Sequence, residues 1–160
     1  MGLIQMHIEP SRWAGQAPVE CCDLGVGTRG AQSRRCRLDA FRASGGVATG
    51  AEIATLLRPG VSHPVSVLAR WIVARQAITL RCQAEMMLPL FQFDFQQGCV
   101  RAGVSQVVAE LSGAMSPDDV ALWFGQPNDW LGGLTPAGLL ATDVPAVLSA
   151  ARADRFIVTG

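Results

Sequence analysis

Four helix starts crowd into the stretch between residues 116 and 145, and no other feature of the chain limits its fold as tightly. Ser116-Pro117-Asp118-Asp119 joins a capping hydroxyl, a proline in the first turn and acids that the helix dipole favours. Asn128 and Asp129 can cap a single turn holding Trp130 and Leu131, which Gly132-Gly133 ends. Thr135-Pro136 starts another short helix, with Leu139 and Leu140 on it. Thr142-Asp143 and Pro145 start the last, where Val144, Val147, Leu148 and Ala151 line up at helical spacing. Upstream, Val104, Val107, Val108 and Leu111 make one apolar stripe that ends at Gly113, and Val120, Trp123 and Phe124 supply the next buried side. Residues 103–160 therefore read as a compact bundle of short helices.

A different pattern precedes the bundle. Thr49 and Glu52 have the spacing of a capping box, Ile53, Leu56 and Leu57 follow at helical spacing, and Pro59-Gly60 stops the helix. Ser62 can cap a second helix over 63–76, with Leu68, Trp71 and Ile72 on one face. Ile78, Leu80 and Cys82 then alternate with Thr79 and Arg81; after Gln83-Ala84-Glu85 the alternation resumes from Met87 to Phe95, placing Phe91, Phe93 and Phe95 on one face. Pro89 lacks an amide donor, which predicts an edge strand or a bulge. The fold class that results is mainly α: a degenerate winged helix-turn-helix with a β-hairpin over 47–102, followed by the helical bundle. Residues 1–46 mix Pro, Gly, Ser and Arg without period and read as a disordered leader, unless translation starts further in.

The chain has 160 residues, 49% of them apolar and only 16% charged, against a usual charged share of roughly 25%. A packed core is within reach, and disorder of the whole chain is excluded. Thirteen acids balance thirteen bases, so no global field points to nucleic acid or a membrane. All the bases are Arg. Six of them lie in residues 1–45 against four acids, whereas residues 110–154 carry six acids against Arg152 alone. No apolar run approaches the ~18 residues that span a bilayer, and no signal peptide opens the chain, so the expected location is the cytoplasm. Five cysteines without framework spacing are expected as reduced thiols.

Catalytic chemistry finds little to stand on. A His63–Cys99 dyad is less economical than an ordinary turn histidine, and Asp118-Asp119 is explained by the helix dipole. Cys21-Cys22 and Cys36 lack zinc-site spacing, and Gly25, Gly27 and Gly30 follow no strand that would make a phosphate loop. The chain reads as a non-enzyme with no metal and no cofactor. A DNA-reading helix over 63–76 would offer Arg70, Arg75 and Gln76, but amid so many apolar residues that burial on two sides, in a vestigial or dimerising role, is the expectation. Trp123, Phe124, Trp130 and Phe156 must mostly pack a core, with some left exposed as interface anchors.

The run Trp123-Phe124-Gly125-Gln126-Pro127-Asn128, then Trp130-Leu131-Gly132-Gly133, Thr135-Pro136 and Leu139-Leu140 resembles the toxin-binding domain of Xre/MbcA/ParS-type antitoxins. Leu88-Pro89-Leu90-Phe91-Gln92-Phe93-Asp94 is similar to a strand that this family often places between a degenerate helix-turn-helix and that domain. The resemblance covers 47–160. It implies an oligomeric protein, a homodimer or larger, that neutralises a cognate toxin, commonly an NAD-consuming toxin of the RES type. It also implies that operator DNA is a second partner in many members. The contact surface it implies takes in Trp130, Leu131, Gly133 and Pro136, with Arg152, Asp154, Arg155, Phe156 and the residues to Gly160 closing the way into the toxin's NAD pocket. A guanidinium can occupy a site built for phosphate oxygens, and Phe156 can plug an apolar entrance. The alternative is a stand-alone DNA-binding regulator that has lost its toxin.

Overall fold

The computed structural model describes residues 38–160 other than Gln83. Expectations that fall on residues 1–37, the cysteine cluster and glycine loop among them, lie outside the described residues. Helix predominates, beside a small antiparallel sheet. The helices are α1 (Gly50–Leu57), α2 (Pro64–Val73), α3 (Ala102–Leu111), α4 (Pro117–Gly125), α5 (Pro136–Leu139) and α6 (Val144–Thr159). The strands β1 (Val47–Thr49), β2 (Leu80–Cys82) and β3 (Glu85–Pro89) form one sheet in the order β1-β3-β2, and β4 (Phe93–Asp94) pairs with β5 (Cys99–Val100).

The three-stranded sheet is a partition between two cores. Side chains alternate across a strand, so Ala48 and its register partner Leu88 face α1 and α2, joining Ile53, Leu57, Leu68 and Phe93. Leu80 and its partner Met87 face the other way, into the larger core of Val104, Val107, Leu111, Phe124, Val147 and Ala151. The hairpin therefore binds both halves together.

The capping box at Thr49 and Glu52 forms in full, and Ser116, Asn128, Thr135 and Asp143 each accept a backbone amide at a helix or turn start. Ser62 does not cap α2. His63 is the cap residue, without a side-chain bond, because Pro64 fills the first position. That helix also ends earlier than expected, at Val73. Arg75 takes a left-handed φ of 54°, while the Gln76 amide reaches the Trp71 carbonyl and the Arg75 amide reaches that of Ile72. This is the Schellman closure that normally uses glycine.

The leader boundary at 46 cuts through folded chain. Phe41 is fully buried, stacks on Phe91 at 5.9 Å and sits with Ala40 against Gly125. A phenylalanine buried to that degree contributes roughly 3 kcal/mol or more, so this segment is part of the core.

Pro89 ends the central strand, where an edge strand or a bulge was expected. Extending the β2–β3 register places Ile78 opposite Pro89, which has no N–H to give. The fully buried side chain of Gln92 replaces the missing rung. Its Oε1 accepts from the Ile78 amide at 2.6 Å, and its Nε2 donates to the carbonyls of Ile78 and Pro89 at 2.9 Å each. The 3₁₀ turn Leu90–Gln92 breaks the expected alternation, so Phe91 enters the larger core and Phe93 the smaller. Replacing Gln92 by Leu orphans three buried backbone groups and is expected to cost about 3 kcal/mol in denaturant unfolding. A loss below ~1 kcal/mol would show that the amide is not the rung.

Candidate partner-binding surface

Helix α6 carries an inward stripe that outlasts the bundle. Val147, Ala150 and Ala151 are buried against the α3 side, where Gly103 lets the helices approach: a Cβ there would meet Val144 Cγ2 at 2.9 Å. Asp154 is next on the stripe, and Ile157 and Val158 follow it at i+3 and i+4. By then the core has ended. Phe156, Ile157 and Val158 are 75%, 64% and 54% exposed.

Asp154 closes the bundle at that point. Its Oδ2 accepts from Trp123 Nε1 and Asn128 Nδ2, both at 2.7 Å, and its Oδ1 accepts from Trp130 Nε1 at 2.9 Å. Three N–H donors meet the carboxylate charge directly, the stronger class of hydrogen bond. Asn128 in turn uses every polar group it has. Its Oδ1 accepts from the Trp130 amide, its own amide donates to Leu134, and its carbonyl accepts from Leu131 and Gly133. Gly132 and Gly133 follow with φ of 64° and 82°, a left-handed pair that lets the chain double back on Asn128.

The expected contact residues separate accordingly. Trp130 is 60% exposed while its ring N–H is tied to Asp154, so its indole is both presented and fixed. Gly133 lies on the surface beside it. Leu131 and Pro136 are buried and hold the loop and α5 from within, so they give a partner no side-chain contact. Arg152 and Arg155 converge on Glu110 of α3, at 3.5 and 2.6 Å. Both stay at least half exposed, and such pairs are worth about 0–1 kcal/mol; a partner's anion can win either guanidinium away. Leu134, 56% exposed, was missed by sequence reasoning, although an apolar residue just after a double-glycine turn was the available signal.

Elsewhere the other candidates stand apart. Arg70 is exposed on α2, but Arg75 and Gln76 lie in the turn beyond it. Burial of α2 on two sides does not hold: Leu68 is its one fully buried residue, and Val65 and Val73 face outward. His63 and Cys99 line different surface grooves, and Asp119 is bonded to its own cap, Ser116. Among the described residues no cluster of three or more His, Cys, Asp or Glu is placed to hold a metal, and no helix is long and apolar enough to cross a membrane. Cys82 and Cys99 are free thiols.

Comparison with protein-family models, curated proteins and solved structures gives no match.

Replacing Asn128 by Ala is expected to cost roughly 2–3 kcal/mol, because it strips a capping acceptor and a donor to a carboxylate. Removing the Glu110 carboxylate by E110Q is expected to cost under ~1 kcal/mol. Chemical denaturation of both variants tests this ranking, and the reverse order would contradict it.

Proposed function

We propose that this protein is an antitoxin-type protein that binds and neutralises a cognate toxin, of the NAD-consuming RES type, by steric occlusion and without chemistry of its own. One observation carries the reading. The protein spends a part-buried carboxylate network on holding an exposed tryptophan next to a helix tip whose last apolar residues find no cover within the fold. Rigid exposed aromatic and apolar side chains of this kind dominate the energetics of protein interfaces. No charged side chain lies between Phe156 and Gly160, which suits contact with an apolar mouth.

In this reading Trp130 anchors the contact, Leu134 flanks it, and Phe156, Ile157 and Val158 plug the toxin's entrance, while α1, α2 and the sheet serve as scaffold or dimer surface. The stand-alone regulator draws less support, since α2 puts Val65 and Val73 outward where a groove-reading helix needs polar side chains.

Co-expression with the product of the neighbouring reading frame tests the proposal. A chain cut after Arg155 keeps the Asp154 network, so its circular dichroism should match the parent while protection from that product is lost. Full protection by the shortened chain would overturn the occlusion mechanism.

A further inference from the structure

Away from the α6 tip, a cavity of about 160 Å³ lies between the turn that ends α2 and the junction of α3 with α4. One side of it is aliphatic: Ile72 from the smaller core's side, then Ile78, Val108, Met115 and Val120. Arg75, Thr79 and Ser112 give the rest a polar lining of similar extent. Ser112 Oγ is already committed to the Val108 carbonyl. The Thr79 hydroxyl and the Arg75 guanidinium make no hydrogen bond or ion pair among the described residues.

Arg75 is also the one described non-glycine residue with positive φ. The Schellman position it occupies favours glycine, and a side chain kept there against backbone preference, at the edge of a cavity, points to a use for that side chain. A half-open space of this size, with aliphatic side chains along one side, has room for a single six-membered ring. Among the described residues, the Arg75 cation and the Thr79 hydroxyl beside such a space match a single carboxylate. A dianion or a polar sugar would leave charge or hydroxyls against the aliphatic wall.

We propose that this cavity binds a small apolar monocarboxylate, its ring or short acyl chain between Ile78, Val108 and Met115 and its carboxylate on Arg75 and Thr79. Met115, unbranched and flexible, lets the wall fit either shape. The site is independent of the surface assigned to the toxin.

Methyl-detected NMR titration of the full chain with benzoate, hexanoate, acetate and benzamide tests it. Benzoate and hexanoate should move the Ile78, Val108 and Met115 methyls with a dissociation constant on the order of 1 mM. Acetate, which lacks the apolar part, and neutral benzamide should each bind at least about tenfold more weakly. Arg75→Gly relaxes the backbone, so it should melt no lower than the parent yet lose about tenfold in benzoate affinity. Equal binding of benzoate and benzamide, undiminished binding by the glycine variant, or no shift of these methyls at tens of mM benzoate (well above that constant) would each overturn the proposal.

Discussion

Two indole N–H groups and an amide meet on the carboxylate of Asp154, and through them the end of α6, the end of α4 and the loop from Asn128 to Leu134 become one object. Each bond is short, and each draws on the charge of a group that water would otherwise solvate. Removing the carboxylate would leave the nearly buried Trp123 and Asn128 without acceptors, a cost larger than the loss of any one contact. The loop has few apolar contacts of its own beyond Leu131. Its shape therefore depends on this node, and so does the orientation of the exposed Trp130.

The sheet does for the first half of the chain what Asp154 does for the second. Its three strands are too short to be stable alone, but each face is covered, by α1 and α2 on one side and by the bundle on the other. A central strand ending in proline would ordinarily leave a gap in the ladder. Gln92 closes it with one side-chain amide that both donates and accepts. Phe41 reaches back from before the first strand to stack on Phe91 in the larger core. Both cores are thus built against the one sheet.

What the sequence made legible was local chemistry. Caps at Thr49, Ser116, Asn128, Thr135 and Asp143 announce themselves because a hydroxyl, amide or carboxylate satisfies an amide two or three residues on. The stripe on α3 was equally plain. Features set by distant partners were not. Strand β1 is three residues long and gains its identity only from pairing with β3. Gln92 reads as a solvent-facing residue of an alternating strand until the 3₁₀ turn rotates it inward. Asp154 reads as part of a charged helix end, since its donors lie 24 to 31 residues away. A still longer separation along the chain hid Glu110 from Arg152 and Arg155, whose charges looked free for a partner. The exposed tip was half visible, because the i, i+3, i+4 stripe of α6 runs on past the point where the bundle stops.

A fixed aromatic beside an uncovered apolar tip is what the proposed role needs, and the node at Asp154 is what makes the aromatic fixed. Hydrogen exchange of the tryptophan ring N–H groups, followed by NMR in the parent and in D154A, tests that claim most directly. The ring N–H of Trp130 should exchange slowly in the parent despite the exposure of its indole, and the substitution should release it, while the ring N–H of Trp71 keeps its rate. A Trp130 ring N–H that exchanges as fast in the parent as in the variant would contradict the account.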